Sequence, residues 1–185
     1  MSHPLIKEAE QKMDKSVESL QQELSGFRTG RATPNLLDVV HVDAYGSKMK
    51  INQLGNITVP DSHLIVIDLW DKSLIGAVEK AIMASPLGVN PSNDGRLIRI
   101  PIPPLSEERR KELTKVANKM AEEARVAVRN IRRHVLETLK KEQKDGKITE
   151  DDLHRLSDEV QKLTDKHIEK IDQVLKAKEK DIMEG

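Results

Sequence analysis

Apolar residues recur every three or four positions along the first part of the chain. Ile6, Ala9, Met13, Val17, Leu20, Leu24 and Phe27 trace one face of a helix. Gly26 and Gly30, with Pro34 beyond them, form its stop signal, because glycine accepts the left-handed conformation at a helix end and proline cannot continue the ladder. The pattern then shortens. Valine- and isoleucine-rich runs at 36–42, 48–54, 64–70 and 96–102 are separated by turn residues such as Tyr45-Gly46-Ser47 and Asn93-Asp94-Gly95, and they predict strands. One helix interrupts them, with Ser73 as its cap and Leu74, Ala77, Val78, Ala81 and Ile82 as its buried stripe, ending at Pro86 and Gly88.

Helical spacing returns after the extended run Pro101-Ile102-Pro103-Pro104, with Ser106 at the start of a second long helix. Leu113, Ala117, Met120, Ala124, Ala127, Ile131, Val135 and Thr138 or Leu139 recur in steps of four and three, and no proline or glycine intervenes until Gly146. At 1.5 Å per residue this run predicts a helix roughly 55 to 60 Å long. Thr149 with Asp152 forms a variant capping box ahead of Leu153, Leu156, Val160, Leu163, His167, Ile171 and Val174, a third long helix. The expected fold is therefore α+β in two domains. Residues 1–30 and 105–185 form a long, discontinuous three-helix bundle, and 31–104 form an inserted, strand-rich domain with one helix. Two tethers, at 30–33 and 102–105, make the connection a hinge.

Composition narrows the functional classes. Of 185 residues 34% are charged and 2% aromatic, a balance suited to long solvated helices and poor for a deep ring-lined pocket. The absence of cysteine excludes disulfides, thiol nucleophiles and thiolate zinc sites, and it fits a reducing cytoplasm. The longest apolar run, from Leu64 to Trp70, is broken by Asp68, so neither a membrane span nor a signal peptide is expected. Formal net charge is zero, yet sign is segregated. Between Arg109 and Arg133, nine basic residues (Arg109, Arg110, Lys111, Lys115, Lys119, Arg125, Arg129, Arg132 and Arg133) face only Glu112, Glu122 and Glu123, whereas the final stretch is acidic.

With 100° per residue, Arg125, Arg129 and Arg132 fall within roughly 60° of one another on the second long helix, with Arg133 nearby, and the stripe centred on Ala124 and Ile131 faces largely away. Guanidinium forks match phosphate oxygens bidentately, so such a ridge suits a nucleic-acid backbone. An ordinary solvated face would share this composition, and Arg28 and Arg31 have a simpler role as cations at the end of a helix dipole. A helical scaffold for protein partners is a rival reading, one that predicts apolar residues on the outside of the bundle and binding insensitive to salt.

The six histidines are scattered without the i, i+4 pairing of a helical metal site, and His167, on the apolar seam, reads as a hydrogen-bonded core residue. No glycine-rich phosphate loop is present, and Asp151 with Asp152 suits a helix N-terminus better than acid–base chemistry. Trp70 and Tyr45 are too few for a base-stacking platform, which leaves shape and phosphate contacts as the mode of binding. No convergent polar set supports an enzyme.

Four segments carry a resemblance. Arg28-Thr-Gly-Arg-Ala-Thr-Pro34, Ala81-Ile-Met-Ala-Ser-Pro-Leu-Gly-Val-Asn-Pro-Ser92, Pro103-Pro-Leu-Ser-Glu-Glu-Arg-Arg-Lys111 and Ala124-Arg-Val-Ala-Val-Arg-Asn-Ile-Arg-Arg133 are similar to those of bacterial ribosome recycling factors, in order and over the whole length. The resemblance implies a non-enzymatic factor of translation termination, of tRNA-like outline, whose helical domain binds ribosomal RNA of the large subunit. It also implies action beside elongation factor G, which uses the GTP, so the chain itself needs no cofactor. Subunits then separate, and messenger RNA and deacylated tRNA leave.

Carried over by position, the RNA-gripping residues are Arg129, Arg132 and Arg133, with Arg132 foremost, and Arg28, Arg31, Arg109, Arg110 and Arg125 in support. The hinge falls on Gly30, Arg31, Ala32 and Thr33 and on Ile102, Pro103, Pro104 and Leu105. Small-subunit contacts would come through the inserted domain. There this chain departs from many relatives, with Asp43-Ala44-Tyr45-Gly46 in place of a tyrosine pair before the glycine and Ser62-His63 in place of an arginine-containing turn. A monomer is expected, since a three-helix bundle already buries its seam.

Overall fold

The computed structural model describes residues 3–27 and 29–184. In chain order the elements are α1 (Pro4–Ser25), β1 (His41–Ala44), β2 (Ser47–Lys50), β3 (Gly55–Asp61), β4 (Leu64–Leu69), α2 (Ile75–Ala84), β5 (Ser92–Asn93), β6 (Ile98–Pro101), α3 (Glu107–Lys144) and α4 (Glu150–Glu184). Short 3-10 helices occupy Pro34–Val39, Ile51–Gln53 and Lys72–Leu74. The chain forms two compact units. One combines the described residues up to Phe27 with Glu107–Met183, and the other runs from residue 29 to Ser106, against the expected divisions at 30/31 and 104/105.

The first unit is all helix. Ile6, Ala9, Met13, Val17, Leu20 and Leu24 of α1 are buried, as the spacing predicts. α3, 38 residues long, extends about 57 Å. It buries Leu113, Ala117, Ala121, Ala124, Val128, Val135 and Leu139, a wider stripe than the alternating one, with Met120, Ala127 and Ile131 half-buried at its edge. Two neighbouring helices explain the width. α4 contributes Leu156, Val160, Thr164, His167, Ile171, Leu175 and Ile182.

Helix ends follow local chemistry. His3 caps α1, its Nδ1 accepting the Leu5 N–H at 3.2 Å, ahead of Pro4 in the first turn. The stop at Gly26 differs from expectation. Its φ of −73° is right-handed, and it is Gly30, at φ 73°, that adopts the left-handed form. Two residues past the end of α3, Gly146 (φ 76°) turns the chain, with Lys147 N–H donating to the Glu142 carbonyl at 2.8 Å and Gly146 N–H to that of Gln143 at 3.1 Å. The capping box opens α4 as predicted, since Asp152 N–H donates to Thr149 Oγ1 at 3.0 Å and Thr149 N–H to Asp152 Oδ2 at 3.1 Å.

The second unit carries a β1–β2 hairpin and an antiparallel sheet in the order β3-β4-β6-β5. β4 alternates cleanly, burying Ile65, Ile67 and Leu69 against Val78 and Ile82 of α2 and Ile98 and Ile100 of β6. Residues 36–39 are not strand, because Pro34 presets a helical φ and the resulting 3-10 turn buries Leu37 while leaving Val39 exposed. Residues 51–53 are likewise a 3-10 turn, and Trp70 lies exposed beyond β4. β3 was not expected, because Ile57 and Val59 are its only branched apolar residues and Pro60 follows them. An edge strand tolerates the missing N–H of that proline.

Asp71, not Ser73, starts the helical insert. Its Oδ1 accepts the Ser73 N–H at 3.0 Å. Ala77 is exposed, while Ile75 takes a buried position. Gly55 is required where β3 meets β4, because an added Cβ would lie 2.7 Å from the Leu69 Cα.

Asp94 organises the turn into β6. Its carboxylate accepts the N–H groups of Leu97 (2.8 Å) and Arg96 (2.9 Å) through Oδ1 and the Arg99 guanidinium (2.9 Å) through Oδ2. The Leu97 N–H, then Arg99, then the Arg96 N–H hold this carboxyl well below the usual carboxylate range. A depressed pKa stabilises the fold above the unfolded value, about 3.9, and that contribution is lost as pH falls further. Asp94→Asn is therefore expected to lower the thermal midpoint at pH 7, with the gap from the unmodified chain closing below about pH 4. Parallel melts across that range test it, and a gap independent of pH would show that the carboxylate charge is not what matters.

Candidate nucleic-acid interface

α3 positions the basic residues, and nothing helix-breaking interrupts it between Arg109 and Arg133. Arg129 and Arg133 are exposed and Arg132 is half-buried at the edge of the same face. Each has a different setting. Arg132 Nη1 donates to the neutral amide oxygen Gln161 Oε1 of α4 at 3.3 Å, a long contact. Arg129 Nη1 reaches Glu122 Oε1 at 3.2 Å, two turns away on its own helix.

Arg125 is more deeply engaged. Its side chain is only 20% exposed, its Nη2 and Nε donate to Asp172 Oδ1 of α4 at 2.7 and 2.9 Å, and its Nη1 to Glu122 Oε2 at 3.0 Å. Partial burial works against its charge, but the bonds to Asp172 and Glu122 outweigh this and raise its pKa above the ordinary arginine value. Glu122 is held below the usual carboxylate range by Arg125 first and Arg129 second. Arg125 thus ties α3 to α4, whereas Arg129, Arg132 and Arg133 present guanidinium groups outward.

The remaining candidates are dispersed. Arg109 pairs with Glu112 at 2.9 Å and points about 140° away from Arg132 around the helix. Arg110 lies within about 40° of Arg132 but some 33 Å along the axis, and its Nε is buried without a hydrogen-bond partner among the described residues. Arg31 is exposed in the second unit. Arg28 lies outside the described residues.

Three residues beyond the sequence candidates belong to the same face. Lys111 and Lys115, both exposed, precede Arg129 and Arg133 by five helical turns, about 27 Å, and so share their directions. The basic face thus runs along much of α3. Val126, 44% exposed, precedes Arg129 and Arg133 at i, i+3, i+7 spacing, an apolar spot beside the charged face. A branched apolar residue off the core stripe is the signal that could have found it.

Comparison with known proteins completes the picture. Residues 20–183 match the family model described as ribosome recycling factor. The ribosome-recycling factors of Symbiobacterium thermophilum and Halalkalibacterium halodurans are each 56% identical over 184 residues, covering 100% of both chains. Among solved structures, a solution structure of the ribosome recycling factor is similar with TM-score 0.73 and 46% identity, over 100% of each chain. A second is the T. thermophilus ribosome recycling factor, described together with E. coli elongation factor G bound to the E. coli post-termination complex. It matches with TM-score 0.61 and 47% identity over 96% of each chain.

Proposed function

Since the chain belongs to the ribosome recycling factor family, we propose that it binds the post-termination ribosome through the basic face of α3 and, with elongation factor G, separates the subunits. The carrying observation is full-length similarity to a factor described on that complex beside elongation factor G, in a chain whose α3 presents Arg129, Arg132 and Arg133 outward. Guanidinium groups spaced along one face match successive phosphates of an RNA backbone, and they do so without reading sequence.

In this reading the partner elongation factor G hydrolyses the GTP. The chain contributes no catalytic group and no cofactor, and acts as a cytoplasmic monomer. α3 anchors on ribosomal RNA of the large subunit. The second unit meets the small subunit and elongation factor G, and the two connecting segments bend as force is applied. Messenger RNA and deacylated tRNA then leave.

The reading is tested by light scattering of post-termination ribosomes with the purified chain, elongation factor G and GTP. Splitting is expected only when all three are present. Binding to vacant ribosomes, followed by co-sedimentation, is expected to weaken steeply as salt rises from about 50 to 200 mM, because released counterions drive phosphate contacts. A folded chain that binds at neither salt concentration overturns the proposal.

A further inference from the structure

The turn between β3 and β4 holds both chain segments that lead into and out of the second unit. Asp61 shapes it, with Oδ1 accepting the His63 N–H at 3.0 Å and the Ser62 hydroxyl at 3.4 Å. On the incoming side, Ala32 N–H donates to the Ser62 carbonyl at 2.7 Å, and His63 Nδ1 lies 2.9 Å from the Gly30 carbonyl oxygen. A carbonyl only accepts, so Nδ1 carries the proton and the ring is the donor. On the outgoing side, Ile102 N–H donates to the His63 carbonyl at 2.8 Å, one residue beyond the Leu64–Pro101 pair that ends the β4–β6 ladder. Two consecutive residues thus bind both segments.

Gly30 gives the side-chain bond its leverage. It is buried at φ 73°, and a glycine peptide has more conformations to lose than any other, so a donor fixed on its carbonyl restrains a link that is otherwise the freest in the segment. Pro103 and Pro104, by contrast, have no N–H to donate to the sheet.

We infer that His63 is a positioning residue, whose ring locks Gly30 to the β3–β4 turn so that the incoming and outgoing segments move as one body with the sheet. Bending during subunit splitting is then excluded from Gly30 and Ala32 and from Ile102. Gly30, Ala32 and Ile102 belong to the clamp, while Pro103, Pro104 and Leu105 remain in the hinge. This deepens the recycling reading and rests on it. A clamp of this kind concentrates an applied force at the bend, whereas a loose incoming strand would dissipate it by sliding.

His63→Ala and His63→Asn in the full chain test the clamp. Asparagine sets its Nδ2 as many bonds from the backbone as the histidine Nδ1, so it can restore the donor. Three quantities are read: amide exchange at Ala32 and Ile102, affinity for vacant ribosomes, and splitting rate with elongation factor G and GTP. With alanine, Ala32 is expected to exchange about tenfold faster. Ile102, whose acceptor is the retained backbone of residue 63, should be unchanged. Affinity should hold while splitting slows several-fold, and asparagine should return exchange and splitting toward the original values. Unaltered exchange at Ala32, or undiminished splitting despite faster exchange, overturns the inference. An unmodified chain that splits no ribosomes overturns the recycling reading itself, and the role of the clamp with it.

Discussion

Alanine at both Arg129 and Arg132 is expected to lower affinity for vacant ribosomes about hundredfold at low salt, with the fold intact. Each guanidinium lost removes a charge-assisted bond to phosphate, worth about 1.5 kcal/mol at the lower end, and every 1.4 kcal/mol is tenfold. Intramolecular losses are smaller. Arg132 has only a 3.3 Å contact to the neutral Gln161, and the Arg129–Glu122 pair is about half exposed on both sides, a setting in which ion pairs contribute little. The slope of log affinity against log salt should also become shallower by about two. Co-sedimentation across a salt series measures both effects.

Glu122→Gln provides the opposite arm. It frees Arg129 and removes a negative charge from the face, so affinity should rise. A double variant that binds like the unmodified chain would show that α3 is not the RNA-gripping element. One that unfolds would show instead that the arginines hold the bundle.

Asp14→Ala is expected to destabilise the helical unit by about 2 kcal/mol, through a group the substitution does not touch. His167 on α4 is 0% exposed, with Nδ1 donating to the Leu163 carbonyl at 2.7 Å and Nε2 lying 2.6 Å from Asp14 Oδ1 on α1. Truncating Asp14 strands a buried ring nitrogen without its partner, which costs more than a net hydrogen bond is worth. Asp14→Ala with His167→Leu should recover part of the loss, because removing both polar partners abolishes the unmet demand. Urea unfolding at constant slope measures each variant. An Asp14→Ala midpoint equal to that of the unmodified chain would mean that His167 finds another partner or water.

The helical elements were legible from residue spacing because a long amphipathic helix repeats its signal over many turns. α1 and α3 lie close to where their stripes place them, and the Thr149–Asp152 capping box is a purely local device. The second unit is less legible in the sequence. β3 carries only two branched apolar residues ahead of Pro60, and the segment after Pro34 has a strand's composition in a 3-10 turn. Short elements are decided by the neighbours they pack against, which the local pattern does not contain.

The basic face divides along the same line. Periodicity alone placed Arg125, Arg129 and Arg132 on one side of α3, and a fixed 100° step is all that this requires. Which of them face outward depends on α4. Asp172 captures Arg125 and Gln161 touches Arg132, contacts made 47 and 29 residues away in the chain. The pairing of His167 with Asp14, the need for glycine at position 55 and the hold of His63 on Gly30 have the same origin. Helical periodicity is a property of consecutive residues and can be read in order, whereas the partner of a side chain is whatever the folded backbone brings within about 3 Å of it.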